Sequence, residues 1–198
     1  ADIRALSGGV TTDDIFDMVK KLREKTEIPL VFMTYLNPVF HYGYEAFFER
    51  CQDVGIDGII IPDLPFEEKE EVDVVASRYG IDLISMIAPT SKERIRKIAK
   101  GAKGFLYVVS SMGVTGERTN ITTDIGGMLK EIRSVSSVPA AVGFGIHTPD
   151  QAAEISKTAD GVIVGSAVVK LIEKYGSHAG GHLYTYVRMM KETVSHSE

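Results

Sequence analysis

Short apolar runs of strand length recur along this chain, and each is followed by a segment with helical spacing. The runs are Ile28 to Tyr35, Gly58 to Pro62, Asp82 to Ala88, Phe105 to Ser110, and two that start at Val138 and Gly161. A continuous apolar run of this length reads as a strand covered on both faces, as in a parallel sheet. The intervening segments carry helix signals. Thr11/Thr12 caps an amphipathic stretch with Ile15, Met18, Val19 and Leu22 at helical spacing, and Tyr44 to Val54 ends at a glycine. Further helices are expected over Phe66 to Tyr79, Ser91 to Lys100, Asp124 to Ser134, Pro149 to Thr158, Ala167 to Lys174 and Leu183 to Val194. Strict alternation of strand and helix implies a parallel sheet with right-handed crossovers.

The last two runs carry the strongest local signal. Val142-Gly143-Phe144-Gly145 and Ile163-Val164-Gly165-Ser166 each end a β-branched segment in glycine, and each precedes a helix start. Bare amides at such turns attract phosphate, and glycine lets an anion come close. A doubly wound sheet places its phosphate glycines after the first strand. A (β/α)8 barrel places them after the seventh and eighth. Counting back from Gly161 makes Ile28 the third strand. The expectation is an α/β fold, a TIM barrel with strands 3–8 visible, forming one domain over 1–198 with its first quarter ahead of Ala1. Six strands alone would leave two unpaired edges.

Composition narrows the function. A net charge of -5 argues against nucleic acid or an anionic membrane as the main partner. No apolar run approaches the ~20 residues of a membrane span, and no signal-peptide pattern opens the chain. The single Cys51 lies in a helical segment and has no internal partner, which points to a cytoplasmic setting.

Barrel chemistry sits at the C-terminal ends of strands. Those positions hold Tyr35 and Asn37, then Asp63, then Pro89 and Thr90, then Tyr107 with the loop Gly113-Val114-Thr115-Gly116, then the two glycine turns. No lysine lies in these turns and Arg118 is the nearby cation, so neutral dipoles would carry the anion. Met33, Ile60, Met86, Tyr107, Phe144 and Ile163 offer an apolar wall that suits a flat aromatic group. Simpler readings compete: Asp63 as a cap for the helix after it, Tyr107 as plain core, and Glu67 to Glu71 as a solvated helix face. His178 and His182 have i,i+4 spacing, but Gly180-Gly181 between them argues against a metal pair.

In Met33-Thr34-Tyr35-Leu36-Asn37-Pro38, Pro62-Asp63-Leu64-Pro65, Tyr107-Val108-Val109-Ser110, Gly113-Val114-Thr115-Gly116, Val142 to Ile146 and Gly165 to Lys170, the chain resembles the tryptophan synthase alpha subunit family. The resemblance implies retro-aldol cleavage of indole-3-glycerol phosphate to indole and glyceraldehyde 3-phosphate, without cofactor or metal. It implies a beta subunit carrying pyridoxal phosphate in an α2β2 heterotetramer. Thr115, Gly116, Gly143, Gly145, Gly165 and Ser166 would serve the phosphate site, with Thr115 in a mobile loop. Tyr107 would position the reacting groups, and Met33, Ile60, Met86, Phe144 and Ile163 would flank the indole. Tyr35, Asn37, Pro38, Phe40, Asp63 and Pro65 would face the beta subunit. The family's catalytic Glu and Asp would both precede Ala1, so no residue of this chain takes either role.

Two alternatives stand beside this reading. One is another phosphate-binding barrel enzyme, of the indole-glycerol-phosphate synthase or phosphosugar isomerase type, for which Asp63 is the one available carboxylate. The other is a non-catalytic module that signals to a partner.

Overall fold

The computed structural model describes residues 2–110, 124–143 and 145–195. The chain divides into two compact units, 1–85 and 86–198.

The first unit contains α1 (Asp2–Ser7), α2 (Thr12–Arg23), β1 (Val31–Met33), α3 (Leu36–Tyr42), α4 (Tyr44–Val54), β2 (Gly58–Ile60), α5 (Lys69–Arg78) and β3 (Asp82–Leu83). The three strands are parallel, in the order β1-β2-β3, with Phe32 opposite Ile59 and Met33 opposite Ile60. Helix α2 begins at a reciprocal cap. Asp14 N–H donates to Thr11 Oγ1 at 3.2 Å, and Thr11 N–H donates to Asp14 Oδ2 at 2.8 Å. Helix α4 ends at Gly55, whose φ of 82° is left-handed.

Strand alternation sorts the sheet's two faces. Ile59, with Phe32 packed beside it, joins Phe16, Phe47 and Phe48 in the core beneath the helices. Edge-on ring pairs knit that core, with Phe16 at 5.5 Å from Phe32 and 5.4 Å from Phe47. Each such pair contributes about 0.5–1.5 kcal/mol beyond its burial.

The sequence expectation needs one correction here. The run from Ile28 to Tyr35 is strand only over Val31–Met33, and Asn37-Pro38, after its end, lies in the first turn of α3. Proline is tolerated in a first turn, where its missing N–H has no partner to lose.

The second unit contains β4 (Ser85–Ile87, straddling the boundary), α6 (Lys92–Lys100), β5 (Leu106–Val109), α7 (Ile125–Arg133), β6 (Ala140–Gly143), α8 (Pro149–Ser156), β7 (Gly161–Val162), α9 (Ser166–Tyr175) and α10 (Ala179–Ser195). Its sheet runs β4-β5-β6-β7, with β5-β6 and β6-β7 parallel. The expected strand from Asp82 to Ala88 thus appears as two pieces separated by Ile84. The last helix also starts earlier than Leu183 and takes in Gly180 and Gly181. A short 3-10 turn, Gly176–His178, leads into it, and His182 stacks on Tyr175 at 3.6 Å.

One device closes the strand entrances in both units. Asp57 N–H donates to Leu30 O at 2.9 Å, and Leu30 N–H donates to Asp57 Oδ2 at 2.7 Å. Arg23, at the end of α2, reaches that same Oδ2 at 2.5 Å. In the second unit Asp160 N–H donates to Ala140 O at 3.0 Å, and Ala140 N–H donates to Asp160 Oδ2 at 2.9 Å. Arg133, at the end of α7, reaches Asp160 Oδ1 at 3.3 Å. The sequences repeat as well: Arg23-x5-Pro29-Leu30 with Asp57-Gly58, and Arg133-x5-Pro139-Ala140 with Asp160-Gly161.

These clamps predict specific stability losses. Asp57→Ala and Asp160→Ala each remove the acceptor of an amide at a strand entrance and one arginine contact, and should cost about 1–3 kcal/mol in urea unfolding. Lys157→Ala, which removes a solvent-exposed pair with Glu154, should cost only about 0.3 kcal/mol. Equal losses in the three variants would contradict the clamp.

Candidate functional site

The site expected at the glycine turns lies within the second unit, at the C-terminal ends of its strands. Register places Tyr107 opposite Ala141, and Val109 opposite Gly143. Tyr107, Ala141, Gly143 and Val109 therefore share one sheet face, while Leu106, Val108, Ala140 and Val142 share the other.

Tyr107 is buried, at 6% exposure, and burial raises its phenol pKa above the ordinary value. Its hydroxyl stays neutral at physiological pH. Gly143 explains how it fits. A Cβ at Gly143 would lie 2.5 Å from Tyr107 Oη and 2.7 Å from the ring. The missing side chain at 143 therefore makes room for the phenol. Sequence reasoning attached this glycine to the ligand directly.

Gly145 has φ of 87°, a conformation that side chains resist. The residues after it are tied down. His147 Nδ1 lies 2.8 Å from Gly145 O, and Gln151 Oε1 accepts from His147 N at 3.0 Å and from Thr148 N at 3.3 Å. Thr148 Oγ1 accepts from Gln151 N at 3.3 Å and caps α8. Bare amides were expected at both glycine turns. Here the helix start is already closed by side chains, so any donor left for a ligand precedes His147.

The start of α9 differs. Its N-cap is Gly165, and no side chain caps it, whereas Ser91, Asp124 and Thr148 cap α6, α7 and α8. Among the described residues, a Cβ at Gly165 would meet nothing within 4 Å. The first turn of α9, beginning at Ser166, thus has backbone N–H groups and the positive end of the helix dipole with no side-chain cap from its N-cap residue. Met86 is half-buried in β4, and Ile163, which follows β7, is half-buried too. Ile163 N–H donates to Val142 O at 2.8 Å. Thr115, Gly116, Arg118 and Phe144 lie outside the described residues.

The first unit holds the remaining expected residues. Met33 and Ile60 share the sheet face away from the aromatic core; Ile60 is buried and Met33 is 55% exposed. Tyr35, Asn37, Pro38, Phe40, Asp63 and Pro65 are all exposed. Asp63 Oδ1 accepts from Leu36 N at 2.9 Å, so it caps α3, the helix before it, and not the helix after it. That engagement leaves it a structural role at the rim.

The second unit also has a cavity of about 260 Å³ between α6 and α7, lined by residues that include Thr90, Lys92, Asp124 and Glu131. None of the glycine turns lines it. Buried Glu131 is occupied there: it pairs with Lys92 at 3.2 Å and with Arg96 at 2.5 Å, and these cations, Lys92 foremost, hold its carboxyl below the ordinary range. The cavity is a crevice between paired helices.

Sequence reasoning missed Gln151 and Tyr186. The Thr148-x-x-Gln151 spacing is a legible capping signal. Tyr186 carries no local signal. Its hydroxyl donates to His147 O at 2.9 Å from a point far along the chain.

Comparison with known proteins gives the family and the fold. The family model for the tryptophan synthase alpha chain matches residues 1–195. The alpha chain of Lacticaseibacillus casei is 48% identical over 194 residues, covering 98% of this chain and 73% of that protein. The alpha chain of Lactiplantibacillus plantarum is 49% identical over 195 residues, covering 98% and 74%. The solved tryptophan synthase a2b2 complex of Pyrococcus furiosus contains a chain that matches with a TM-score of 0.85 and 31% identity, over 96% of this chain and 77% of that one. The barrel class expected from the alternation is therefore the class of its relatives, and the chain belongs to the tryptophan synthase alpha-chain family, lyases of tryptophan biosynthesis.

Proposed function

We propose that the second unit holds the phosphate of indole-3-glycerol phosphate at the Gly145 turn and the Gly165–Ser166 helix start. The observation that carries this reading is the start of α9, where Gly165 supplies no side-chain cap and, among the described residues, nothing lies within 4 Å of a Cβ placed there. An anion there gains several amide bonds without displacing a side chain. Thr115 and Gly116 belong to the loop that covers the ester in this reading. Tyr107, neutral and fixed against Gly143, supplies a hydroxyl that positions the substrate, with Phe144 and Ile163 beside the indole.

The reaction is retro-aldol cleavage. A general acid protonates the indole ring carbon as a general base takes the glycerol hydroxyl proton; the carbon–carbon bond breaks, releasing indole and glyceraldehyde 3-phosphate. Asp63, the carboxylate that follows β2, accepts the Leu36 amide at one oxygen. In this reading neither the acid nor the base is among these 198 residues, which bind the phosphate and do not cleave the substrate. The exposed group Tyr35, Asn37, Pro38, Phe40, Asp63 and Pro65 faces a beta subunit, by analogy with the a2b2 complex of the Pyrococcus furiosus relative. Pyridoxal phosphate belongs to that subunit alone, and the assembly works in the cytoplasm. Among the described residues no helix is long and apolar enough to cross a membrane.

Calorimetry with glycerol 3-phosphate, paired with an indole-release assay on indole-3-glycerol phosphate, tests this. The expected result is saturable binding and no indole. Indole release would refute the assignment of acid and base outside these residues, and absence of binding would refute the phosphate site.

The Tyr107 seat gives a second expectation. Gly143→Ala pushes a methyl into the phenol and should cost about 1–3 kcal/mol, whereas Gly165→Ala, with space around it, should leave the urea midpoint within a few tenths of a molar. Equal midpoints for the two variants would mean that Tyr107 does not occupy that seat.

A further inference from the structure

We infer that Tyr186 and His147 are positioning residues for the phosphate turn, and that α10 sets phosphate affinity through a single hydroxyl. This rests on the phosphate assignment above. Three consecutive peptide planes follow Gly145, and side chains hold all three, with Gln151 also taking the amide of the third, Thr148 N, at 3.3 Å. The Gly145–Ile146 plane is held at its carbonyl by the His147 ring, with Nδ1 at 2.8 Å. A carbonyl oxygen only accepts, so Nδ1 carries the proton in this contact. The Ile146–His147 plane is held at its amide by Gln151 Oε1 at 3.0 Å. The His147–Thr148 plane is held at its carbonyl by the Tyr186 hydroxyl at 2.9 Å.

The consequence lies in the first plane. In a trans peptide the C=O and the following N–H point in opposite directions, and the described residues contain no cis bond. Turning the Gly145 carbonyl toward His147 turns the Ile146 N–H the other way. The ring that does this belongs to His147, and Tyr186 and Gln151 fix the backbone of that same residue on both sides. Gly145 at φ of 87° is a conformation that an unrestrained glycine leaves freely. The three side chains therefore hold the turn in one arrangement before the ligand arrives, and an anion does not have to order it.

Two of the anchors are local. Tyr186 comes from α10, which packs on α8. Its ring is half-buried, so removing only the hydroxyl leaves the packing in place.

The experiment measures glycerol 3-phosphate and indole affinity, thermal midpoint and amide exchange over 145–148 in Tyr186→Phe, His147→Asn and His147→Leu. Tyr186→Phe should weaken glycerol 3-phosphate binding roughly three- to tenfold, the worth of one hydrogen bond. It should speed exchange at 145–148, leave indole affinity unchanged and lower the midpoint by no more than the loss of one hydrogen bond. A merely structural hydroxyl would lower the midpoint and leave glycerol 3-phosphate affinity as unaffected as that for indole. His147→Asn keeps a donor near the Nδ1 position and should bind within twofold of the unaltered chain, while His147→Leu should lose as much as Tyr186→Phe. Unaltered glycerol 3-phosphate affinity in Tyr186→Phe, or equal losses in the two His147 variants, would overturn the positioning role while the phosphate site stands. No binding by the unaltered chain would overturn both.

Discussion

The pairing of backbone groups at the ends of short parallel strands is the constraint on which the rest of this structure depends. Strands of two to four residues have few ladder bonds of their own, and an unpaired amide beside a buried sheet costs about as much as a lost hydrogen bond. At the strand entrances the chain closes these groups with side chains. Asp57 and Asp160 each exchange two bonds with the residue opening the neighbouring strand, and each is held by an arginine from the preceding helix. At the strand exits the treatment changes from turn to turn. Asp63 closes one helix start and the Thr148–Gln151 pair closes another, while the start of α9 carries no side-chain cap. The clamps thus gather at the strand entrances, and the ligand site proposed above lies at the exits, where the barrel class leads one to expect it.

The chemistry of the proposed phosphate site is that of dipoles. A charged side chain would bind phosphate strongly anywhere within its reach. Amides on a fixed turn bind it in one place and one orientation. That specificity requires a rigid turn, and Gly145 alone would not provide one. Rigidity comes from outside the glycines: from the ring that orients the Gly145 carbonyl, from the glutamine that closes the α8 start, and from a tyrosine on the last helix. Gly143 plays a different part. It lets a large neutral phenol lie flat against the sheet, where burial keeps its proton in place.

Much of this was legible in the sequence because the signals were local. Alternating apolar runs and capped helices located the strands, and α4, α6, α7 and α8 lie where Gly55, Ser91, Asp124 and Pro149 imply. The misreadings have physical causes. The run from Ile28 to Tyr35 suggested a longer strand, yet only Val31–Met33 pairs with β2. Gly180-Gly181 suggested a loop, yet a 3-10 lead-in and the His182–Tyr175 stack carry the helix through them. Asp63 was taken to cap forward when its partner lies behind it. What stayed hidden was long-range. The Arg-x5-Pro repeat is visible once its purpose is known, but nothing local pairs Leu30 with Asp57 or Tyr186 with His147. Those contacts exist only after the strands have set their register.

The measurement that tests the central claim most directly is a backbone amide titration of the isotope-labelled chain with glycerol 3-phosphate. If the open strand exits are the anion site, the amides of Gly145, Ile146, Gly165 and Ser166 shift together, with one affinity, while those of Lys92 to Arg96 stay still. Shifts confined to the basic start of α6, with the glycine turns unmoved, would contradict the account.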